Sequence, residues 1–254
     1  VTSNETFWAL VRHEFKLKGS WRKQNRSPIA KWWWIGYVSL LLIGAIALTA
    51  YFAINSSLNL EYLWFATLGL PYILFFLGFG SLKREWENDT YGWWLTLPYP
   101  RLWLVGAKWL ACLLRTLLIF IGILALGTLY ATIIAILAPS YSLADVGSFI
   151  RSGGGWLLTM IGFSPLLTIL GILTASAPYT ALRPITPILW VLFMGGGGMI
   201  YADIPGNFGE PSVYDAATTP TISWNMLAAM VVGWVVAYVV IRLIAYLLEK
   251  KLHI

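Results

Sequence analysis

Residues 102–137 read LWLVGAKWLACLLRTLLIFIGILALGTLYATIIAIL, and this stretch decides the fold. Its only charges are Lys108 and Arg115, both toward its start. A helix needs about 20 predominantly apolar residues to cross a hydrocarbon core. The run exceeds that length, so it is expected to tilt or to project beyond the bilayer. A β-barrel would show apolar–polar alternation in strands of about ten residues. None is seen, and a helix is the remaining way to satisfy the backbone in lipid.

Outward from this run, the same reading finds apolar stretches at residues 32–54, 60–82, 156–177, 185–201 and 224–248. The expected fold class is therefore all-α, a polytopic transmembrane helical bundle of six spans. Composition agrees, with 59% apolar and 11% charged residues, against about 25% charged in soluble domains. The run at 32–54 is too long for a cleavable signal-peptide core and follows a long polar and basic segment, so it is expected to remain as the first span.

Lysine and arginine give the orientation. Arg12, Lys16, Lys18, Arg22, Lys23, Arg26 and Lys31 precede the first span, Lys83, Arg84 and Arg101 follow the second, and Lys250 and Lys251 close the chain. With six crossings all share one side, which the positive-inside rule makes cytoplasmic. The opposite side carries Arg151 against Glu61, Asp145, Asp203, Glu210 and Asp215. Both termini are thus expected in the cytoplasm. Bases facing anionic lipid also account for the net charge of +6 without a nucleic-acid partner. The expected organisation is a cytoplasmic N-terminal segment at 1–31 and a six-span domain at 32–254, with a cytoplasmic loop at 83–101 and an outer segment at 195–223.

In the N-terminal segment, Phe7, Trp8, Leu10, Val11 and Phe15 recur at helical spacing, with Arg12, His13 and Lys16 on the other side. This predicts an amphipathic interfacial helix lying on the cytoplasmic surface as an anchor, ending near Gly19 and Ser20. Trp32, Trp33 and Trp34, like Trp93 and Trp94, fit an aromatic belt at headgroup level, with substrate contact as the alternative.

Several chemistries are excluded or disfavoured. The one cysteine, Cys112, lies in an apolar run, so no intramolecular disulfide and no thiolate metal cluster can be built, and the two histidines, His13 and His253, stand at opposite chain ends, which gives a zinc site or a histidine dyad no support. A nucleotide hydrolase would need a loop such as GxxxxGK[ST]. The longest glycine run, Gly195, Gly196, Gly197 and Gly198, lacks the lysine and is instead expected to break or loosen the outer end of the fifth span as part of an outer gate. Span interiors lack histidine, aspartate and glutamate, which disfavours intramembrane catalysis and ion-coupled transport. Arg115 and Arg242 lie about two turns from helix ends, within reach of the interface by snorkelling. The chain is not expected to be an enzyme, and it offers no cofactor site of its own.

The connection between the second and third spans is the most informative segment. Residues 83–111 read KREWENDTYGWWLTLPYPRLWLVGAKWLA. Glu85, Glu87 and Asp89 come first; Asp89 or Thr90 can cap a short helix running to Leu97, and Pro98 stops it. Glu85, Glu87, Gly92, Trp94, Leu95, Leu97, Pro98, Pro100 and Arg101, with Lys108 beyond, resemble the corresponding loop in permease subunits of type-2 ABC transporters, the six-span type V exporter class. The overall plan resembles that family too, although Gly92 lies farther from the acidic pair than the family pattern has it. The outer segment is also glycine-rich where the family places two short re-entrant helices.

The resemblance implies that this loop holds a coupling helix, with Thr90, Tyr91, Trp94 and Leu95 among its residues. It implies docking on a separate ATP-binding ABC subunit that holds ATP and Mg. A second permease copy or paralogue would complete a two-plus-two assembly in a bacterial plasma membrane. The expected function is an exporter permease for an amphipathic or lipophilic substrate such as a peptide, drug or lipid. A non-transporting scaffold or assembly factor, and an ATP-independent channel or carrier, are the alternatives.

Overall fold

A computed structural model describes residues 3–16, 31–55, 59–202 and 224–250. The described residues form helices α1 (Ser3–Lys16), α2 (Lys31–Ile54), α3 (Leu70–Glu87), α4 (Tyr91–Thr96), α5 (Arg101–Leu137), α6 (Leu143–Ser176), α7 (Thr186–Ala202) and α8 (Trp224–Lys250), with 3₁₀ turns at Leu60–Thr67, Ala177–Tyr179 and Arg183–Ile185. Among them there is no strand, and the all-helical expectation holds. Five stretches are long and apolar enough to cross a membrane: Trp32–Ile54, Leu60–Glu87, Arg101–Leu137, Leu143–Tyr179 and Trp224–Lys250. This is the signature of a membrane protein. The expected fifth span of six corresponds to α7, whose 17 residues stand at the lower limit of the range of about 17–25 for a crossing.

The 37 residues of α5 rise about 55 Å and the 34 residues of α6 about 51 Å, against a hydrocarbon thickness of about 30 Å. Both therefore overhang a bilayer. The start of α6 corrects the sequence expectation, which placed it near residue 156. The helix begins at Leu143 because Asp145 accepts hydrogen bonds from both the N–H of Ser142 (2.7 Å) and its hydroxyl (2.8 Å), fixing the first turn.

Helix α6 is the centre of the bundle, packing against α3, α5 and α8. Against α3 the backbones themselves meet. A Cβ on Gly78 would lie 2.0 Å from the Thr168 carbonyl oxygen, and one on Gly171 would lie 2.1 Å from that of Phe75. Small residues at such crossings allow the dispersion contacts on which helix association in lipid depends. Pro165 removes one backbone donor from the middle of α6. The Ser164 hydroxyl donates to the Ile161 carbonyl at 2.8 Å and so re-satisfies the freed acceptor.

At one end of the bundle the Leu60–Thr67 turn tucks Trp64 against α6, where it stacks on Phe149 at 4.8 Å and donates Nε1 to the Phe149 carbonyl at 3.0 Å. Helix α2 stands apart. Only 6% of its span is buried, and its ties to the rest include a hydrogen bond between Thr49 and Tyr130 and the buried methyl of Ala53. At the other end α1 packs along the first half of α5. Val11 is buried there, and Phe7 meets Trp103 edge-on at 6.0 Å. The predicted amphipathic helix is present, and protein covers Val11 and partly covers Phe7, Leu10 and Phe15, while Trp8 stays exposed.

The structure carries α7 through Gly195, Gly196, Gly197 and Gly198 to Ala202, without the break expected there. In a helix of mean hydropathy this high, the intrahelical hydrogen bonds outweigh a glycine penalty of about 1 kcal/mol each. Residues 203–223 of the expected outer segment lie outside the described residues, as do the bases at 18–26, the expected helix end at Gly19 and Ser20, and His253.

Candidate functional site

Lysine is almost never fully buried unless it is paired. Lys108 of α5 is 1% exposed. Its Nζ donates to Glu14 Oε1 of α1 at 2.8 Å and to Glu85 Oε1 of α3 at 2.7 Å, and it lies 5.0 Å from the centroid of the Trp94 ring of α4. One ammonium therefore joins four helices. Two carboxylates offset its charge, and the indole face adds a favourable cation–π contact.

About two turns along the same face of α5, Arg115 completes the attachment of α1. Its Nη2 donates to the Glu14 carbonyl and, at 3.0 Å, to the Phe15 carbonyl. These acceptors belong to the last turn of α1, where carbonyls have no intrahelical partner and the helix dipole favours a cation. Arg115 thus reaches the end of α1. A partner within reach, with two lone carbonyls to satisfy, holds it inside the protein.

The turn from α3 into α4 is equally determined. Thr90 N donates to the Glu85 carbonyl at 2.9 Å and Asp89 N to the Trp86 carbonyl at 3.2 Å, the paired bonds of a Schellman motif. The position that usually takes glycine is Asp89, with φ 57°. Thr90 stands at the N-cap of α4 without capping it. Its hydroxyl donates instead to Glu85 Oε2 at 2.6 Å, steering the carboxylate toward Lys108. Trp86 is stacked between Tyr91 at 6.0 Å and Tyr179 at 4.5 Å, which clamps the same turn onto the end of α6.

The loop residues picked out from sequence divide into two sets. Glu85 and Trp94 face inward and are committed to Lys108, so neither is free to serve as a rim charge or a docking anchor. Tyr91, Leu95, Leu97 and Arg101 are half-buried. Glu87, Asp89, Gly92 and Pro98 are exposed, with Glu87 held by Lys83 at 3.3 Å. Beside them Trp93 is 67% exposed, an indole whose sequence reading is an aromatic belt with substrate contact as the alternative. The outward face of α4 thus presents Gly92, Trp93 and Thr96, flanked by acidic Glu87 and Asp89.

Sequence reasoning missed Glu14. The available signal was Lys108 itself, an ammonium inside an apolar run that demands a carboxylate, with Glu14 at the end of a helix whose stripe runs through Phe7 and Val11. Comparison of the chain with protein-family models, curated proteins and solved structures finds no match.

Proposed function

We propose that this chain is the membrane-embedded permease subunit of an ATP-driven exporter, with α4 as the lever by which a separate ATPase subunit moves the helices. The observation that carries this reading is the Lys108 junction, which ties α4 to the ends of α3 and α1 and to the long helix α5. A soluble partner pressing on Trp93 would displace an element that is locked to three others. Force received there would pass into α5 and α6 without dissipating in a slack loop.

In this reading the chain crosses the bilayer six times, α7 being a short crossing, and both termini lie in the cytoplasm of a bacterial cell. Two permease chains pair with two ATP-binding subunits, which hold ATP and Mg. The path between the chains, lined by aliphatic and aromatic side chains, suits an amphipathic or lipophilic cargo.

Docking by Trp93 gives the test. Truncating a well-buried aromatic anchor costs about 2 kcal/mol or more of association energy, which is more than tenfold in affinity at about 1.4 kcal/mol per decade. Trp93→Ala is expected to weaken capture of the co-expressed ATPase at least tenfold and to reduce transport, with the thermal unfolding of the isolated chain unchanged. Equal capture of the ATPase by parent and variant would remove the lever from the proposal.

A further inference from the structure

The end of the bundle that holds Lys108 also holds an open groove of about 730 Å³, between residues 97–102 and the last turns of α8. Its lining combines apolar Leu97, Leu102 and Ala245 with Arg101, Arg242, Tyr246 and a single carboxylate, Glu249. Arg101 opens α5 and Glu249 nearly closes α8, both helices being long and apolar enough to span a bilayer. In the membrane reading the groove opens at the end of α8, whose 27 residues rise about 40 Å, near the thickness of a bilayer with its headgroup layers.

Its polar groups are poorly satisfied from within. Nη1 of Arg101 is buried without a hydrogen-bond partner, and an unsatisfied buried donor is costly. Arg242 is exposed and donates Nε (3.0 Å) and Nη2 (2.6 Å) to the Tyr238 hydroxyl of its own helix, with no ion pair among the described residues. The first turn of α5 adds positive potential, since it contains no acidic residue and Pro100 gives it no side-chain cap. Two guanidinium groups beside an uncapped helix start call for an oxyanion with several acceptor atoms. Glu249, at the same mouth, calls for a cation.

We propose that this groove binds the headgroup of an aminophospholipid. The phosphodiester lies between Arg101 and Arg242 at the start of α5, the ammonium meets Glu249, and the acyl chains follow the apolar part of the lining into the bilayer. Guanidinium forks match phosphate oxygens in geometry as well as charge, and basic pockets between spans are established lipid-headgroup sites in membrane proteins. The inference rests on the membrane reading alone and stands or falls independently of any ATPase.

The test uses the purified full chain in detergent, titrated with phosphatidylethanolamine, phosphatidylglycerol or phosphatidylcholine and read by native mass spectrometry, with phosphoethanolamine and inorganic phosphate as soluble competitors. Phosphatidylethanolamine is expected to bind one to one, at least tenfold more weakly to Arg242→Gln and to Arg101→Gln/Arg242→Gln. Arg12→Gln, a change on the exposed face of α1, is expected to leave binding intact. Glu249→Gln is expected to abolish the preference for phosphatidylethanolamine over phosphatidylglycerol. Because Arg242 is exposed, its single variant should fold normally and gives a clean reading if the double variant does not. Undiminished binding by Arg242→Gln would overturn the site. Full displacement by inorganic phosphate would reduce it to a free-anion site and overturn the lipid assignment, and an unchanged lipid preference in Glu249→Gln would overturn the assignment of the amine.

Discussion

Lys108 shows how one side chain can organise a region. Removing its ammonium would leave Glu14 and Glu85 as neighbouring buried carboxylates, and breaking a buried ion pair by deleting one partner costs about 3–5 kcal/mol. Lys108→Met is expected to lower stability by that amount, read as thermal unfolding of the detergent-solubilised chain. The combined variant with Glu14→Leu and Glu85→Leu should recover most of the loss, since replacing every member of a buried charge cluster by apolar residues of similar volume is often neutral. An unaltered unfolding curve for Lys108→Met would mean that the ammonium is not structurally engaged. At this scale the sequence was half legible. That a lysine within an apolar run needs a partner follows from desolvation, but its pairing with a residue 94 positions away arises from tertiary packing that no local pattern encodes.

At the scale of elements, α3 and α6 meet at a crossing with no room for a side chain. Gly78→Ala and Gly171→Ala each place a methyl within about 2 Å of a facing carbonyl oxygen, so the helices must part. Overpacking of this kind typically costs about 1–3 kcal/mol. Gly80→Ala and Gly122→Ala meet nothing within 4 Å, and alanine is the better helix former by about 1 kcal/mol. The first pair is expected to lower the midpoint of thermal unfolding and the second to hold or raise it; equal behaviour of both pairs would refute the close approach. Long elements were legible because apolar length is a strong signal. The first turns of α6 were not, since residues 143–155 are polar and glycine-rich, and only the Ser142–Asp145 capping pattern marks the start. The inward and outward roles of Trp94 and Trp93 were likewise illegible, because neighbouring indoles on a six-residue helix have no periodicity to separate them.

Across the whole molecule, α6 is enclosed by α3, α5 and α8, while α2 lies almost free against one side. The proposed topology puts the open end of the overhanging α5–α6 hairpin and its turn on opposite sides of the bilayer. In a background with Cys112→Ser, Thr96→Cys and Ala144→Cys, both at exposed positions, should react with impermeant maleimide from opposite faces of sealed vesicles. Labelling of both from the same face would end the spanning assignment of α5. The five long apolar helices were readable from length and composition. The docking of α1 onto α5 was not, because an amphipathic stripe fits a lipid surface and a protein groove equally well.

That docking also has a consequence for biosynthesis. Glu14 leaves the ribosome 94 residues before Lys108, an interval on the order of ten seconds at a synthesis rate of about 5–20 residues per second. Throughout that interval the first helix has no ammonium to bind and no arginine to hold its final carbonyls. Its attachment must wait for the third apolar segment to enter the membrane. The clasp that closes the cytoplasmic end in the proposed topology is therefore a late event in assembly, and a nascent chain arrested before Lys108 would leave its first helix unattached and its apolar stripe open to chaperones or proteases.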